Sequence, residues 1–239
     1  MAKESIKIFT TLAERYPESE TPDKVLGASR VLLAAIPIIG SPLAEVLSMI
    51  LAPPVSNRRD EWFKELADGL GQLEGKFGEF KLENLRNNER FVSSVIQATQ
   101  AAIATHNPDK RAMLRTALLN SALGRVPKEE LEEAFIAAVN ALSPSHIKIL
   151  NFYWKGLEHL MTAGLWNQLK PYALGNYATA IGALYPDMKG RDDFLSYLMT
   201  DLRNRGFATI ARPGDAFPQS PGITTMGVEF LRFILEPPL

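Results

Sequence analysis

Cysteine is absent from this chain of 239 residues. The protein therefore has no disulfide, no thiolate metal ligand and no thiol nucleophile, which fits a reducing compartment. A basic excess is absent too: the formal net charge is −1, which is not typical of a non-specific nucleic-acid binder. The first residues lack the basic start, apolar core and cleavage site of a secretory signal. These absences predict a cytoplasmic protein.

Recognisable catalytic motifs are missing as well. The three histidines are scattered, none lies in a His-Glu-x-x-His pattern, and no Gly-x-Ser-x-Gly elbow is present. We interpret His146 as a half-buried structural residue near a helix start, and the pair Glu158-His159 as a surface or cap feature. The sequence predicts no catalytic residue, no metal site, no cofactor and no small-molecule substrate. We expect a protein that is not an enzyme.

An apolar stretch at residues 31–55 is the most informative feature present, with Glu45 as its one charge. A membrane-spanning helix needs about 20 uninterrupted apolar residues. Here Pro37, Gly40 and Pro42 divide the run, and Pro53-Pro54 should end it. The pattern predicts a helical hairpin within residues 25–55, whose defining side chains are Leu33, Ile36, Ile38, Ile39, Leu43, Glu45, Leu47 and Ile50.

Two interpretations of this hairpin remain open. Helices that are apolar on all sides belong in a protein core or a membrane. In the first interpretation the hairpin is buried among the amphipathic helices that follow. In the second it is sheltered at rest and released into a bilayer, with Arg58 and Arg59 near the headgroups. Glu45 opposes insertion, because a carboxylate at mid-bilayer costs roughly 2.5–3.5 kcal/mol on insertion scales.

Helix starts are marked along the chain by proline after a capping residue, as at Asn107-Pro108 and Ser143-Pro144. The predicted helices are 4–15, 22–36, 42–51, 58–80, 89–106, 108–123, 127–141, 144–155, 173–185, 190–205 and 225–235. The clearest carries one apolar stripe at spacings of three and four, formed by Trp62, Leu66, Leu70, Leu73, Phe77 and Phe80.

Glycines within this same helix resemble a phosphate-binding loop between Asp68 and Phe77. Their spacing is one residue too long, and Phe77 stands where Ser or Thr must hold magnesium. We therefore expect the glycines to let another helix approach closely. The four concerned are Gly69, Gly71, Gly75 and Gly78.

The pattern changes after residue 142. Two short strand candidates, 207–210 and 222–224, flank a stretch rich in proline and glycine, and a final helix follows. Three helices, a two-stranded wing and a closing helix are the order of a winged-helix unit. The sequence thus predicts a mainly α protein, with a helical domain at 1–142 around the apolar hairpin and a winged-helix-like domain at 143–239.

A winged helix suggests DNA binding, so the charges of its reading helix matter. The first turn of the 190–205 helix would face base edges, but it carries Asp192 and Asp193. Residues 143–239 contain 9 Lys and Arg against 8 Asp and Glu. Nucleic acid is therefore a less favoured partner, and its candidate contacts are Arg191, Arg203, Arg205 and Arg212.

Several segments resemble a family of uncharacterised bacterial proteins: 97–115, 142–150, 201–206 and 223–233. More distantly, an apolar segment ahead of a helical region and a Leu-Ser-Pro start is similar to the layout of the Abi-alpha (abortive infection) proteins. This resemblance supplies no catalytic residue. It implies a bacterial stress or phage-defence protein that acts through a protein partner, a second copy of itself or a membrane surface.

The alternative is a winged-helix transcription regulator. For a stress or phage-defence protein, we expect a cytoplasmic location, with peripheral contact at the inner membrane when the hairpin is released.

Overall fold

The computed structural model describes residues 42–125, 129–169, 176–210, 212–215 and 222–238. Within these ranges, the side chains of 42–53, 129–130 and 168–169 are outside the description. The described residues are mainly helical, as predicted. The chain divides into two compact units, which are Met1–Arg125 with Pro238–Leu239, and Val126–Pro237. We refer to them as unit 1 and unit 2.

Unit 1 is built from helices whose starts follow the predicted caps. Its elements are α1 (Pro42–Lys76), α2 (Leu82–Leu85), α3 (Glu89–Ala104) and α4 (Pro108–Ala122). Asn88 accepts the amide of Phe91 at 3.0 Å at the start of α3, and Asn107 accepts that of Lys110 at 3.1 Å at the start of α4. These side chains satisfy amides that have no partner within the helix.

The core of unit 1 uses the apolar stripe of α1. Trp62, Leu66, Leu70 and Leu73 are all buried, whereas Phe77 and Phe80 are only half-buried. The Trp62 indole donates a hydrogen bond to Thr99 Oγ1 at 2.9 Å, which satisfies its one polar group. The Arg58 guanidinium contacts the Ile103 carbonyl at 3.4 Å. Residue numbers rise along α1 as they fall along α3, so these helices are antiparallel.

The role predicted for the α1 glycines is correct at one position only. A Cβ at Gly69 would lie 3.1 Å from the Leu119 side chain, so α4 approaches α1 closely there. At Gly71, Gly75 and Gly78 a Cβ would meet nothing within 4 Å. The prediction is wrong for those three glycines: Gly71 and Gly75 lie on α1 where a Cβ would face open space, and Gly78 lies beyond the end of α1 at Lys76.

The predicted break at Pro53-Pro54 is also wrong. The helix continues through both prolines, so the predicted 42–51 segment and most of the predicted 58–80 segment form the single helix α1, which ends at Lys76. Proline removes a backbone hydrogen bond, but its fixed φ of about −65° is itself a helical value. The amphipathic turns that follow are held by the core, so the helix persists despite two missing donors.

The described part of unit 2 is also built from helices. They are α5 (Glu129–Ala141), α6 (Pro144–Thr162), α7 (Trp166–Leu169), α8 (Tyr177–Leu184), a 3-10 turn at Pro186–Met188, α9 (Asp192–Asn204) and α10 (Thr225–Leu235). Lys155 interrupts α6 with φ −126° and ψ 18°. The predicted end of this helix at residue 155 therefore coincides with a kink, after which the helix resumes.

Aromatic packing in unit 2 explains where the chain divides. The Phe135 ring on α5 lies 5.4 Å from Phe230 and 5.9 Å from Phe233, both on α10. Phe207 stacks on Phe230 with the ring centroids 4.6 Å apart. These rings join α5 to the C-terminal residues within unit 2, which begins at Val126, whereas the sequence predicts a domain that begins at residue 143.

The predicted two-stranded wing is not present in the described residues. The two segments are paired at one antiparallel bridge between Ala208 and Ile223. The Thr224 amide still donates to the Phe207 carbonyl at 3.0 Å, but the Thr224 hydroxyl already caps α10 by accepting the Gly227 amide at 3.0 Å. The residues that would extend the second strand are used to start a helix.

Candidate functional site

The apolar segment singled out by the sequence is described in part. Leu33, Ile36, Ile38 and Ile39 lie outside the described residues. Leu43, Glu45, Leu47 and Ile50 lie in the first turns of α1, where the backbone is described and the side chains are not. The structure thus places the second half of the apolar segment and the buried stripe of unit 1 on one helix. Across the described ranges, no helix combines the length and the apolar character needed to cross a membrane.

The two arginines expected near lipid headgroups have different surroundings. Arg58 reaches across to the α3 backbone, as described above. Arg59 is paired with the adjacent Asp60 at 3.2 Å, in an exposed position. An exposed pair of this kind contributes little to stability. Arg59 is therefore the more available of the two for a headgroup.

Exposed apolar side chains occur on the α1–α3 pair beyond this segment. Phe63 is 45% exposed and Ile96 is 56% exposed, and Val92 lies one turn before Ile96 on the same helix. Single exposed apolar residues are common on protein surfaces and do not by themselves indicate a partner. Because they are exposed, we expect these positions to tolerate a polar side chain, which makes them useful controls.

The four arginines considered for nucleic acid are exposed in unit 2. The Arg191 guanidinium lies over the Phe194 ring at 4.3 Å, and Arg205 pairs with Asp201 at 2.9 Å. Arg203 lies in the last turn of α9. The backbone amide of Arg212 donates a hydrogen bond to the Asp215 carboxylate at 3.2 Å.

The charges of α9 differ between its two ends. Asp192 and Asp193 are exposed in its first turn, and Arg203 is exposed in its last turn. The helix is therefore acidic at its N-terminal end and basic at its C-terminal end.

A polar cluster that sequence reasoning did not assemble joins the start of α6 to the last turns of α9. His146 is only 3% exposed, which makes it more deeply buried than expected. Its Nδ1 accepts the Ser143 amide at 3.1 Å and lies 2.8 Å from the Ser143 hydroxyl. Its Nε2 lies 3.3 Å from Asp201 Oδ2. The cluster consists of Ser143, His146, Asp201 and Arg205.

The electrostatics of this cluster follow from its hydrogen bonds. A backbone amide can only donate, so Nδ1 is the unprotonated nitrogen and the ring proton is on Nε2, facing the Asp201 carboxylate. The same carboxylate accepts from Arg205 Nε at 2.9 Å. The Tyr197 ring contacts the imidazole edge-on at 5.8 Å. The arrangement orients His146 from two helices.

The contact between Ser143 and His146 could be predicted from the sequence. Ser143 and His146 stand at the N-cap and the third helical position, where a reciprocal capping box is expected. Asp201 is 55 residues from His146, so only the packing of α9 on α6 brings it there. No local sequence pattern predicts the contact between His146 and Asp201.

A second buried polar group in unit 2 is a tyrosine pair. The Tyr153 and Tyr177 rings meet edge-on at 5.3 Å, and both side chains are buried. Burial raises the pKa of the Tyr153 hydroxyl, and Tyr177 and Asp215 raise it further. Burial and Asp215 likewise raise the pKa of Tyr177. Both phenols are therefore neutral and unsuited to act as bases near neutral pH.

The remaining candidates for chemistry stay separate. His106 is exposed and His159 is half-buried. Among the described side chains, no group of three or more His, Asp or Glu residues is arranged to hold a metal ion. The stretch that resembled a phosphate loop lies inside α1, and a helix interior cannot direct its amides at a phosphate.

Comparisons of the chain with protein-family models, with curated proteins and with solved structures gave no match.

Proposed function

We propose that this is a non-enzymatic bacterial protein of a stress or phage-defence type, similar in action to the abortive-infection proteins. It acts through its apolar segment at residues 31–55, which perturbs a membrane or contacts a partner protein. The observation that carries this proposal is the continuity of α1. One helix includes apolar residues from 42 onward and the stripe that is buried in unit 1.

That continuity matters mechanically. Residues 42–54 make up about 20 Å of helix at 1.5 Å per residue. Trp62, Leu66 and Leu70 fix the later turns of the same helix in a packed core. An apolar segment joined in this way can transmit a force or a displacement to unit 1. A segment on a flexible linker would insert or bind without affecting the rest of the protein.

The proposal predicts that a second carboxylate in the apolar segment, in addition to the native Glu45, abolishes activity. Leu47→Asp, and likewise Leu33→Asp and Ile38→Asp, should remove dye release from vesicles of bacterial lipid composition, because a buried charge in a bilayer costs roughly 2.5–3.5 kcal/mol. The matched control is Ile96→Asp, which adds the same charge at a position that is 56% exposed. It should release dye as the wild type does.

Folding must be followed in the same samples by circular dichroism. A folded Leu47→Asp variant that still releases dye at the wild-type rate would refute the proposal. Should Leu47→Asp unfold the protein, the Leu33→Asp and Ile38→Asp variants provide the same comparison at other positions.

A second candidate function is DNA binding by unit 2. Its support is the order of α6, α8 and α9 followed by the Ala208–Ile223 bridge and α10, which is the order expected for a winged helix. The Arg203 side chain is exposed at the C-terminal end of α9. The acidic first turn of α9 opposes this function, since phosphates repel carboxylates.

This candidate predicts salt-sensitive binding to duplex DNA. Arg203→Ala and Arg212→Ala should each weaken binding and reduce the slope of log affinity against log salt by about 1. Arg86→Ala, at an exposed arginine of unit 1, is the control. An absence of binding to genomic fragments at low salt would remove the candidate.

A further inference from the structure

We propose that unit 2 has a surface on α6 and α10 through which two copies of this chain form a two-fold symmetric dimer. The surface consists of Trp154, Leu157 and Met161 on α6 and of Arg232 and Leu235 on α10, and we call it the α6–α10 patch. The inference goes beyond the proposed function, because it concerns unit 2 and does not depend on the apolar segment.

The second half of α6 has an apolar stripe that unit 2 covers only in part. After the interruption at Lys155, Gly156 and Leu160 are buried. Leu157 and Met161, which form the neighbouring row on the helix surface, are 40% and 54% exposed. A surface helix usually directs its whole apolar stripe at the core. Here the stripe continues past the edge of the core into solvent.

Arg232 connects this stripe to α10. Its guanidinium lies 5.6 Å from the centre of the Trp154 ring, and Leu157 lies one turn beyond Trp154 along α6. Leu235 lies one turn beyond Arg232 on α10 and is 39% exposed. Single exposed apolar residues need no explanation, but these side chains follow one another from helix to helix. A contiguous exposed apolar patch with a polar rim is typical of a contact site.

Three charged side chains in and beside the patch have both signs. The Lys155 ammonium lies 4.3 Å from the centre of the Trp154 ring, which Arg232 also contacts. Glu158 is exposed one turn after Trp154. Within the described part of the chain, none of the three forms an ion pair. They are therefore available to a partner.

This combination of charges favours a second copy as that partner. In a two-fold contact the same surface serves both copies, so it must contain each group together with a group that binds it. Two α6 helices that pair antiparallel about Leu157 and Glu158 bring Met161 of one copy to Trp154 of the other, a favourable sulfur–aromatic contact. Glu158 then lies within a turn of the other copy's Arg232. An anionic membrane surface fits less well, because Glu158 would face lipid phosphates.

The size of the patch predicts a weak dimer. A stable interface buries about 800 Å² on each partner, and smaller contacts are typical of transient assemblies. A small group of side chains on two helices belongs to the second class. We expect a dissociation constant of about 10 μM or weaker.

The experiment measures the mass of the full chain by sedimentation equilibrium between about 1 μM and 1 mM. We expect the wild type to change from monomer to dimer over this range. Met161→Asp should raise the dissociation constant by about tenfold or more, because a two-fold contact receives the added carboxylate twice. Ile96→Asp is the matched control, since Ile96 is 56% exposed and lies in unit 1. It should dimerise as the wild type does.

Charge reversal tests the pairing itself. Glu158→Lys and Arg232→Glu should each weaken the dimer, and the double variant should restore it, because the signs are then complementary again. Both side chains are exposed, so we expect these variants to fold, which circular dichroism checks.

A wild type that stays monomeric at the highest concentration would overturn the proposal. So would a Met161→Asp variant that dimerises as tightly as Ile96→Asp. Should Met161→Asp not fold, the charge variants decide, and a double variant that dimerises no more tightly than the two single variants contradicts the proposal.

Discussion

At the scale of single residues, two glycines of α1 lie two positions apart and have different surroundings. The absent Cβ of Gly69 leaves room for Leu119 of α4, whereas that of Gly71 faces open space. A glycine in a helix interior costs about 1 kcal/mol relative to alanine through its backbone entropy. At Gly69 the close approach offsets this cost, and at Gly71 no packing gain does.

Gly71→Ala should therefore raise the free energy of unfolding of unit 1 by about 1 kcal/mol. Gly69→Ala should give a smaller gain or a loss, because its methyl group would lie 3.1 Å from Leu119. Denaturant unfolding followed by circular dichroism measures both. The packing account of α1 would be contradicted if Gly71→Ala were no more stable than the wild type, or if Gly69→Ala were the more stable of the two variants.

Residue-level predictions from sequence succeed here where the signal is local. The stripe from Trp62 to Leu73 is buried as its spacing indicates, and the cap at Asn107 is formed. The partnership of His146 with Asp201 was not predicted, because it depends on how α9 packs against α6. A single sequence contains no marker for a contact between residues so far apart.

At the scale of elements, helices that begin with proline after a cap were predicted well. α4 and α6 start at the expected residues, because proline is well tolerated in the first turn of a helix and poorly tolerated in later turns. The same rule was misleading at Pro53-Pro54, where α1 continues. A local rule gives the cost of proline within a helix but not the stability that the buried stripe contributes to the turns beyond it.

The predicted two-stranded wing shows that packing can also shorten an element that a local pattern predicts. Residues 207–210 and 222–224 do approach each other, as predicted, but they form one bridge and no strands in the described residues. The first helical turn of α10 packs too closely for an added side chain, since a Cβ at Gly227 would collide with the Phe207 carbonyl oxygen. The length of these two extended segments is therefore limited by the helices next to them, α9 and α10.

At the scale of the whole molecule, the sequence predicted a mainly helical chain with two parts, and the structure has two compact units. The position of the division depends on aromatic contacts between α5 and α10 that no local pattern specifies. The function assigned to the apolar segment stays a prediction. Its physical basis is that α1 joins apolar residues to a packed core.

The central claim is that the apolar segment makes the protein membrane-active, and flotation tests it most directly. The purified protein is mixed with vesicles of bacterial lipid composition and centrifuged through a density gradient. We expect the folded wild type to float with the vesicles and to release an enclosed dye. A well-folded protein that stays at the bottom of the gradient and leaves the vesicles intact would contradict the claim, and would direct attention to a protein partner for the same segment.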